Sequence, residues 1–437
     1  MNSLALELNS VLDGTVAGRL LSNLGRRFYF PKGIIVQSAE AKQSAGMANG
    51  TIGMAYSEGA PLILSVIANN MPGLNPEEAV AYAPTAGVEK ARTAWKELII
   101  LKNPSLDPGG ISLPVVVPGL TAGLSYTADL FVSKGGRVLA SDPCWDNYSL
   151  IFEVRRGAEL AGIPFFGDPA SGGPGSGLDM DVIARTMEEA AASGSVRIIF
   201  NFPNNPSGYS PTNTEADALA ALIHKTAEGG ADVLVICDDA YFGLFYEDDI
   251  IRESLFARFA GLHEKVLAVK IDGPIKEDYT WGLRTGFLTF GSKGLNNVHY
   301  DALIRKLTGA IRSSVSSSNT PAQFFMLRAM EDSRTPHEKD RYRRLMQSRY
   351  NRVKAIVGEN VNHPVLAPLP FNSGYFMSFF CRGINAETLR RHLLSAHGIG
   401  TIALGEQYLR IAFSGIDEEK IPDVYRIIYA AAEELSN

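Results

Sequence analysis

Lys276 and Arg284 stand eight residues apart in Gly-Pro-Ile-Lys-Glu-Asp-Tyr-Thr-Trp-Gly-Leu-Arg-Thr-Gly. A lysine amine in a Gly-Pro loop can close an imine with an aldehyde. A guanidinium beside it can hold a phosphate by two parallel hydrogen bonds. Asn205-Pro206-Ser207-Gly208 and Asp238-Asp239-Ala240-Tyr241 precede this stretch, in that order. Lysine, carboxylate, phenol and arginine are together the parts that hold pyridoxal phosphate. In such a site the protein supplies binding and electrostatics while the cofactor does the hard chemistry.

Asp238 ends the run Val-Leu-Val-Ile-Cys, so its carboxylate emerges at the mouth of a buried strand. A carboxylate there is costly unless paired, and a protonated pyridine nitrogen would pair it. The plain alternative is a capping or turn aspartate. Asp239 competes for the role but points the other way in an extended segment. Tyr241 and Asn205 can both donate to a ring oxygen, although Asn-Pro-Ser-Gly is also an ordinary turn. Leu120 and Thr121 lie in Gly-Leu-Thr-Ala-Gly between a strand and a helix. Free N–H groups at that helix start suit a phosphate, and Arg284 would reach the same group. Trp145, in Asp-Pro-Cys-Trp-Asp-Asn-Tyr, can stack on a planar ring or simply pack in the core. Lys270 is the rival nucleophile, but it sits inside a strand. Arg410, in Tyr-Leu-Arg-Ile-Ala-Phe-Ser, is a cation in an apolar strand and needs a partner. A substrate carboxylate or a structural Asp or Glu would serve equally.

These residues need a frame. Short apolar runs over 111–117, 137–140, 197–202, 232–237, 266–271 and 285–290 alternate with helical patterns. Continuous Val/Ile/Leu strands separated by helices predict a mostly parallel sheet covered on both faces. Ligands in such sheets sit beyond the strand ends, and Thr121, Asp238 and Lys276 each follow a strand. From about Ser333 the pattern changes: a charged helix over 337–359, a strand over 374–380, a helix over 386–396, a strand over 408–413 and a final helix from 418. This tail reads as a smaller α+β unit, joined by a helix over 11–24 and the stretch 29–38. The expected division is 1–60 with the small domain, 61–330 as the large cofactor-binding domain and 331–437 completing the small one. The Gly/Pro/Ser-rich 168–177 reads as a surface loop.

The chain has 437 residues, too many for one compact core. A net charge of −6 with no basic block excludes a nucleic-acid footprint. The longest basic cluster, Arg341-Tyr342-Arg343-Arg344, reads as a solvated helix face. Three isolated cysteines show no zinc spacing, so no metal is expected and a reducing cytoplasmic setting fits best. The N-terminal residues lack a basic region followed by an apolar run, so no secretory leader is expected. No apolar stretch approaches the ~20 residues of a membrane span.

Taken together, the segments resemble the fold-type-I pyridoxal-phosphate aminotransferases, within them the class I aspartate/aromatic branch. The resemblance runs from about Asn49 to Ser414 and rests on Asn-Pro-Ser-Gly, Asp-x-Ala-Tyr, Lys276 to Arg284-Thr-Gly and the late-strand Arg410, in family order. It implies a mixed seven-stranded sheet with helices on both sides and a smaller α+β domain formed by both termini. By position, Lys276 resembles the Schiff-base lysine, Asp238 the partner of the pyridine nitrogen, and Asn205 and Tyr241 the ligands of the ring oxygen. Trp145 resembles the stacking aromatic; Leu120, Thr121 and Arg284 the phosphate contacts; Arg410 the α-carboxylate clamp. Ala81-Tyr82-Ala83-Pro84 resembles the segment whose tyrosine reaches the neighbouring subunit's phosphate, which implies a homodimer. Arg312 stands near the position of a dicarboxylate-binding arginine, and Ile52-Gly53 near the substrate pocket. The sequence departs from the family at Ile275 and Gly273, where Ser or Thr is frequent, and at Ala122, where glycine is. The expected activity is transfer of an amino group from an L-amino acid of aspartate or aromatic type to a 2-oxo acid such as 2-oxoglutarate. A lyase performing β- or γ-elimination on the same scaffold is the alternative.

Overall fold

The computed structural model describes residues 43–51, 53, 55–62, 64–70, 73–75, 78, 80–167 and 177–436, with 1, 3, 6, 7, 10, 37, 40 and 41 before them. Expectations on 11–24, on 29–38 apart from Gln37, on Ile52 and on 168–176 lie outside these residues.

In chain order the elements that matter are β1 (Ala48–Asn49), α1 (Glu89–Lys102), β2 (Val115–Val117), α2 (Leu120–Phe131), β3 (Arg137–Ser141) and β4 (Glu159–Ile163). Then come α3 (Met180–Ala191), β5 (Ser195–Phe200), α4 (Asn213–Glu228), β6 (Asp232–Asp238), β7 (Val266–Asp272), β8 (Gly286–Gly291), α5 (Asn297–Arg312), α6 (Thr320–Glu331) and α7 (Thr335–Glu359). The chain closes with β9 (Leu366–Pro368), β10 (Phe376–Cys381), α8 (Ala386–His397), β11 (Ile399–Gly400), β12 (Ile402–Leu404), β13 (Tyr408–Ala412) and α9 (Ile421–Ser436).

Seven strands form one sheet in the order β2-β8-β7-β6-β5-β3-β4. β8 runs antiparallel to both neighbours, and the other pairs are parallel. β6 and β7 are buried along nearly their whole length because helices cover both faces. On one face Trp95 of α1, Met187 of α3 and Ile223 of α4 pack on Phe200 and Val235. On the other, Leu124 of α2 and Leu307 of α5 pack on Ile236, Ile271 and Leu288. β4, Glu-Leu-Ala-Gly-Ile, was not anticipated; as an edge strand with two of its five residues exposed and two partly buried, it lacks a continuous apolar run.

A second sheet, β9-β10-β13-β12, is wholly antiparallel. α7, α8 and α9 cover it through Tyr350, Leu393 and Tyr425. Two devices tie N-terminal chain to this layer. β1 pairs with β11 in parallel, and Gln37 brackets the backbone of Ala403, donating to its carbonyl at 3.2 Å and accepting from its amide at 2.9 Å.

The Asn205–Gly208 turn is the seam between the two sheets. Gly208 has φ +83°, and a Cβ there would lie 1.9 Å from the Phe376 carbonyl oxygen, so only glycine fits. Ser378 Oγ donates to the Pro206 carbonyl at 2.8 Å, and the Ser373 amide donates to the Gly208 carbonyl at 2.8 Å. Among the described residues no helix is long and apolar enough to cross a membrane.

Candidate active site

The seam opens on a cavity of about 320 Å³ beyond the ends of β2, β6 and β7. Asp238 reaches it because β6 delivers its last residue to the sheet's edge. Its carboxylate is buried; the Tyr148 phenol donates to Oδ2 at 2.6 Å, while Oδ1 has no hydrogen-bond partner among the described residues. Burial raises the Asp238 pKa to about 6, opposed by the Tyr148 hydrogen bond and reinforced by Asp239. Asp239 faces away: it accepts from Ser254 Oγ at 2.6 Å and pairs with Lys270. Lys270 also lies 3.3 Å from Asp272, so the rival lysine is consumed by a buried ion network.

Lys276 follows β7 after a short turn. Its Nζ donates to the Gly53 carbonyl at 2.9 Å and lies 5.1 Å from the Tyr241 ring centroid. Burial lowers its pKa to about 7, helped by the guanidiniums of Arg410 and Arg284 and opposed by Asp238. An amine neutral near pH 7 is a competent nucleophile. The Tyr241 hydroxyl is pushed up by burial, with Arg410 opposing.

Arg410 is central in β13 and fully enclosed, at 2% exposure. Its Nη1 donates to Asn205 Oδ1 at 2.9 Å, its guanidinium carbon lies 4.3 Å from the Phe376 ring centroid, and its Nε has no partner. Among the described residues no Asp or Glu forms an ion pair with it. Asp146 acts on it only through its charge, and a buried guanidinium without a paired carboxylate is expensive, which favours the substrate over the structural reading.

At the opposite wall, α2 begins at Gly119 with φ +89°. A Cβ there would lie 2.5 Å from Arg284 Nη2, so glycine lets the guanidinium close on the helix start. Arg284 itself is left-handed (φ 52°) and donates to the Trp281 carbonyl at 3.0 Å. Leu120, Thr121, Arg284, Trp145 and Gly53 all line the cavity.

Two expected residues lie elsewhere. Tyr82 is 92% exposed and outside its own chain's cavity. Arg312 caps the exposed end of α5, where it donates to Ser316 Oγ at 2.8 Å. The sequence reading missed Tyr148, Asn201 and Thr51. Asn201 donates to the Asp238 carbonyl at 2.8 Å and accepts from the Asn205 amide at 2.8 Å, locking strand end to turn. Thr51 lines the cavity wall. Tyr148 and Asn201 both stood in segments already singled out, but neither residue type marks a contact across strands.

Comparison with known proteins bears on the family and the fold. Among curated proteins, a probable N-acetyl-LL-diaminopimelate aminotransferase of Bacillus subtilis (strain 168) is 24% identical over 212 residues, 48% of this chain and 48% of that protein. Kynurenine–oxoglutarate transaminase 3 of Homo sapiens is 26% identical over 209 residues, 48% of this chain and 42% of that protein. The chain thus spans about half the length of these two relatives. The solved structure of an aminotransferase from Anaerococcus prevotii DSM 20548 superimposes with a TM-score of 0.81 at 21% identity, covering 96% of this chain and 98% of that one. That likeness establishes the α/β fold with its mixed seven-stranded sheet. Residues 55–428, most of the chain, match the family described as aminotransferase class I and II, and the protein belongs to that family.

Proposed function

We propose that the chain is a transaminase that moves an amino group from an L-amino acid, of aspartate or aromatic type, to a 2-oxo acid. The observation that carries this reading is one cavity holding a depressed-pKa lysine, a buried carboxylate with one oxygen not hydrogen-bonded among the described residues, and a buried guanidinium that forms no ion pair among them, Asp146 acting on it only through its charge. An elimination lyase would need the first two, and the family match supports transfer.

The family's cofactor is pyridoxal phosphate, and the residues present fit it. Asp238 Oδ1 is a buried acceptor lacking a donor, as a protonated pyridine nitrogen would supply. Asn205 has its Oδ1 engaged by Arg410, so its amide nitrogen is free to donate to a ring oxygen beside the Tyr241 hydroxyl. Trp145 would cover one ring face. The start of α2, with Leu120 and Thr121, would bind the phosphate together with Arg284. When bound, that group supplies an electron sink for the carbon that loses its proton.

The chain's residues do the rest. Lys276 takes the proton from the substrate's α-carbon and returns it on the other side of the transfer. Arg410 grips the α-carboxylate and fixes which bond faces Lys276. Asp238 stays anionic to hold a positive charge in place. The aromatic walls, Trp145, Trp281 and Phe376, favour an aromatic donor over a dicarboxylate, and Arg312 lies outside the cavity of its own chain. The printed name of the human relative supports 2-oxoglutarate as acceptor. The exposed Tyr82 supports a homodimer in which each subunit lends that phenol to the other's phosphate.

The test is a panel of L-amino acids with 2-oxoglutarate, following glutamate formation and cofactor absorbance. Amino transfer from aromatic donors is expected. Steady release of ammonia and an oxo acid from one amino acid alone would replace transfer by elimination. Borohydride reduction should attach the cofactor to Lys276; attachment elsewhere would end the proposal.

A further inference from the structure

The sequence carries no metal spacing because the relevant ligands come from two helices. His392 and His397 lie on α8, and Glu434 on the last turns of α9. One ligand atom from each lies within 4.8 Å of the others; among the described residues no other trio of His, Cys, Asp or Glu meets that spacing. His392 Nε2 is 3.3 Å from Glu434 Oε2, yet it is shielded from solvent and makes no hydrogen bond. The two imidazoles meet edge to face, centroids 5.5 Å apart at 79°.

We propose that His392, His397 and Glu434 form a zinc site that clamps α9 to α8, remote from the catalytic cavity. Two imidazoles with one carboxylate suit zinc, whereas magnesium and calcium take oxygen ligands. Zinc bonds of about 2.0–2.2 Å place tetrahedral ligand atoms roughly 3.3 Å apart. The His392–Glu434 separation already matches that edge. His397 closes the remaining gap by side-chain rotation, at a helix end where Gly398 (φ +66°) takes over. Water completes the fourth position. The cluster is open to metal, since the Glu434 side chain is 67% exposed.

An isolated histidine–carboxylate pair accounts for this arrangement less well. It would orient Nε2 to donate, and it would leave His397 without a reason to lie against His392. The clamp also bears on the active site's frame. His397 precedes Gly398, whose carbonyl accepts from the Met47 amide at 3.2 Å, and β11 then pairs with β1. β1 leads directly to Thr51 and Gly53 in the cavity.

The experiment uses untagged, cofactor-loaded protein stripped with a chelator, then equilibrium dialysis against zinc and thermal melts with zinc or magnesium. The wild type is expected to bind one zinc per chain and to gain about 2 °C or more in Tm at saturating metal. Magnesium should leave the melt unchanged. His392→Asn, His397→Gln and Glu434→Gln should each weaken zinc binding at least roughly tenfold, since even groups behind a ligand are worth about 10–100-fold. Their metal-free melts, matching the wild type, verify the fold. Zinc bound by a His392→Asn/His397→Gln double variant as tightly as by wild type would overturn the assignment, as would a wild type that binds none.

Discussion

Tyr148 holds one oxygen of the Asp238 carboxylate, its phenol donating to Oδ2 at 2.6 Å, and Oδ1 is buried with no hydrogen-bond partner among the described residues. Tyr148 is itself enclosed, at 1% exposure, so the phenol cannot turn away. Its hydroxyl is held protonated, burial and the nearby carboxylate both raising its pKa. The pair therefore acts as a fixed donor that keeps Asp238 oriented and favours its charged form.

Tyr148→Phe should move the acid limb of the kcat/KM profile upward. The folded pKa of Asp238 is about 6, and the hydrogen bond opposes a further rise. A hydrogen bond to a charged group is worth about 1.5–3 kcal/mol, so the limb should shift by roughly one to two pH units. Activity well above the limb should be nearly restored. An unmoved limb would show that another group controls it.

How far the sequence anticipated this site depends on residue type. Lys276, Asp238 and Arg410 could be found because a charged residue in or after an apolar run needs a reason. The seven-stranded sheet was legible because β6 is a continuous apolar run and β5 and β7 are apolar runs broken only by Arg197 and Lys270. Tyr148 and Asn201 were not, since their roles arise from contacts 90 and 37 residues away along the chain. β4 was missed because an edge strand needs no unbroken apolar run. The fate of Lys270 was read only in outline: its strand position was clear, but its two carboxylate partners converge through folding alone.

Arg410→Ala should raise the KM for amino-acid substrates by roughly two orders of magnitude or more, from the 2–5 kcal/mol that a desolvated charge contact is worth. Cofactor absorbance should persist, because Arg410 meets the proposed cofactor only through Asn205. Arg410→Lys should recover little, since an ammonium cannot replace a planar fork. A fall in kcat with KM unchanged would place Arg410 outside substrate binding.

Lys276→Met should abolish turnover yet stabilise the cofactor-free protein at neutral pH. The folded amine titrates near pH 7 against 10.5 when unfolded. Between those values the unfolded chain binds more protons, so wild-type stability rises with pH across that window. Below pH 7 the full penalty of burying the charge applies. The variant lacks this slope, so denaturant midpoints should favour it at pH 7 and converge with wild type above pH 10.5. Parallel curves would mean that the amine is not desolvated.

Lys270→Met should do the opposite. Lys270 is fully buried between Asp239 and Asp272, and those carboxylates hold its pKa above the usual lysine value in spite of burial. Asp272 is further tied to the Trp95 indole N–H at 2.9 Å, and Asp239 to Ser254. Removing the cation leaves two acids facing each other without water, a loss of about 3–5 kcal/mol. Urea midpoints should fall accordingly, and the loss should shrink at low pH, where one acid takes up a proton. Adding Asp239→Asn and Asp272→Asn should recover much of it, because the cost belongs to the uncompensated charges. A Lys270→Met variant as stable as wild type would mean that the network's attraction merely balances its desolvation.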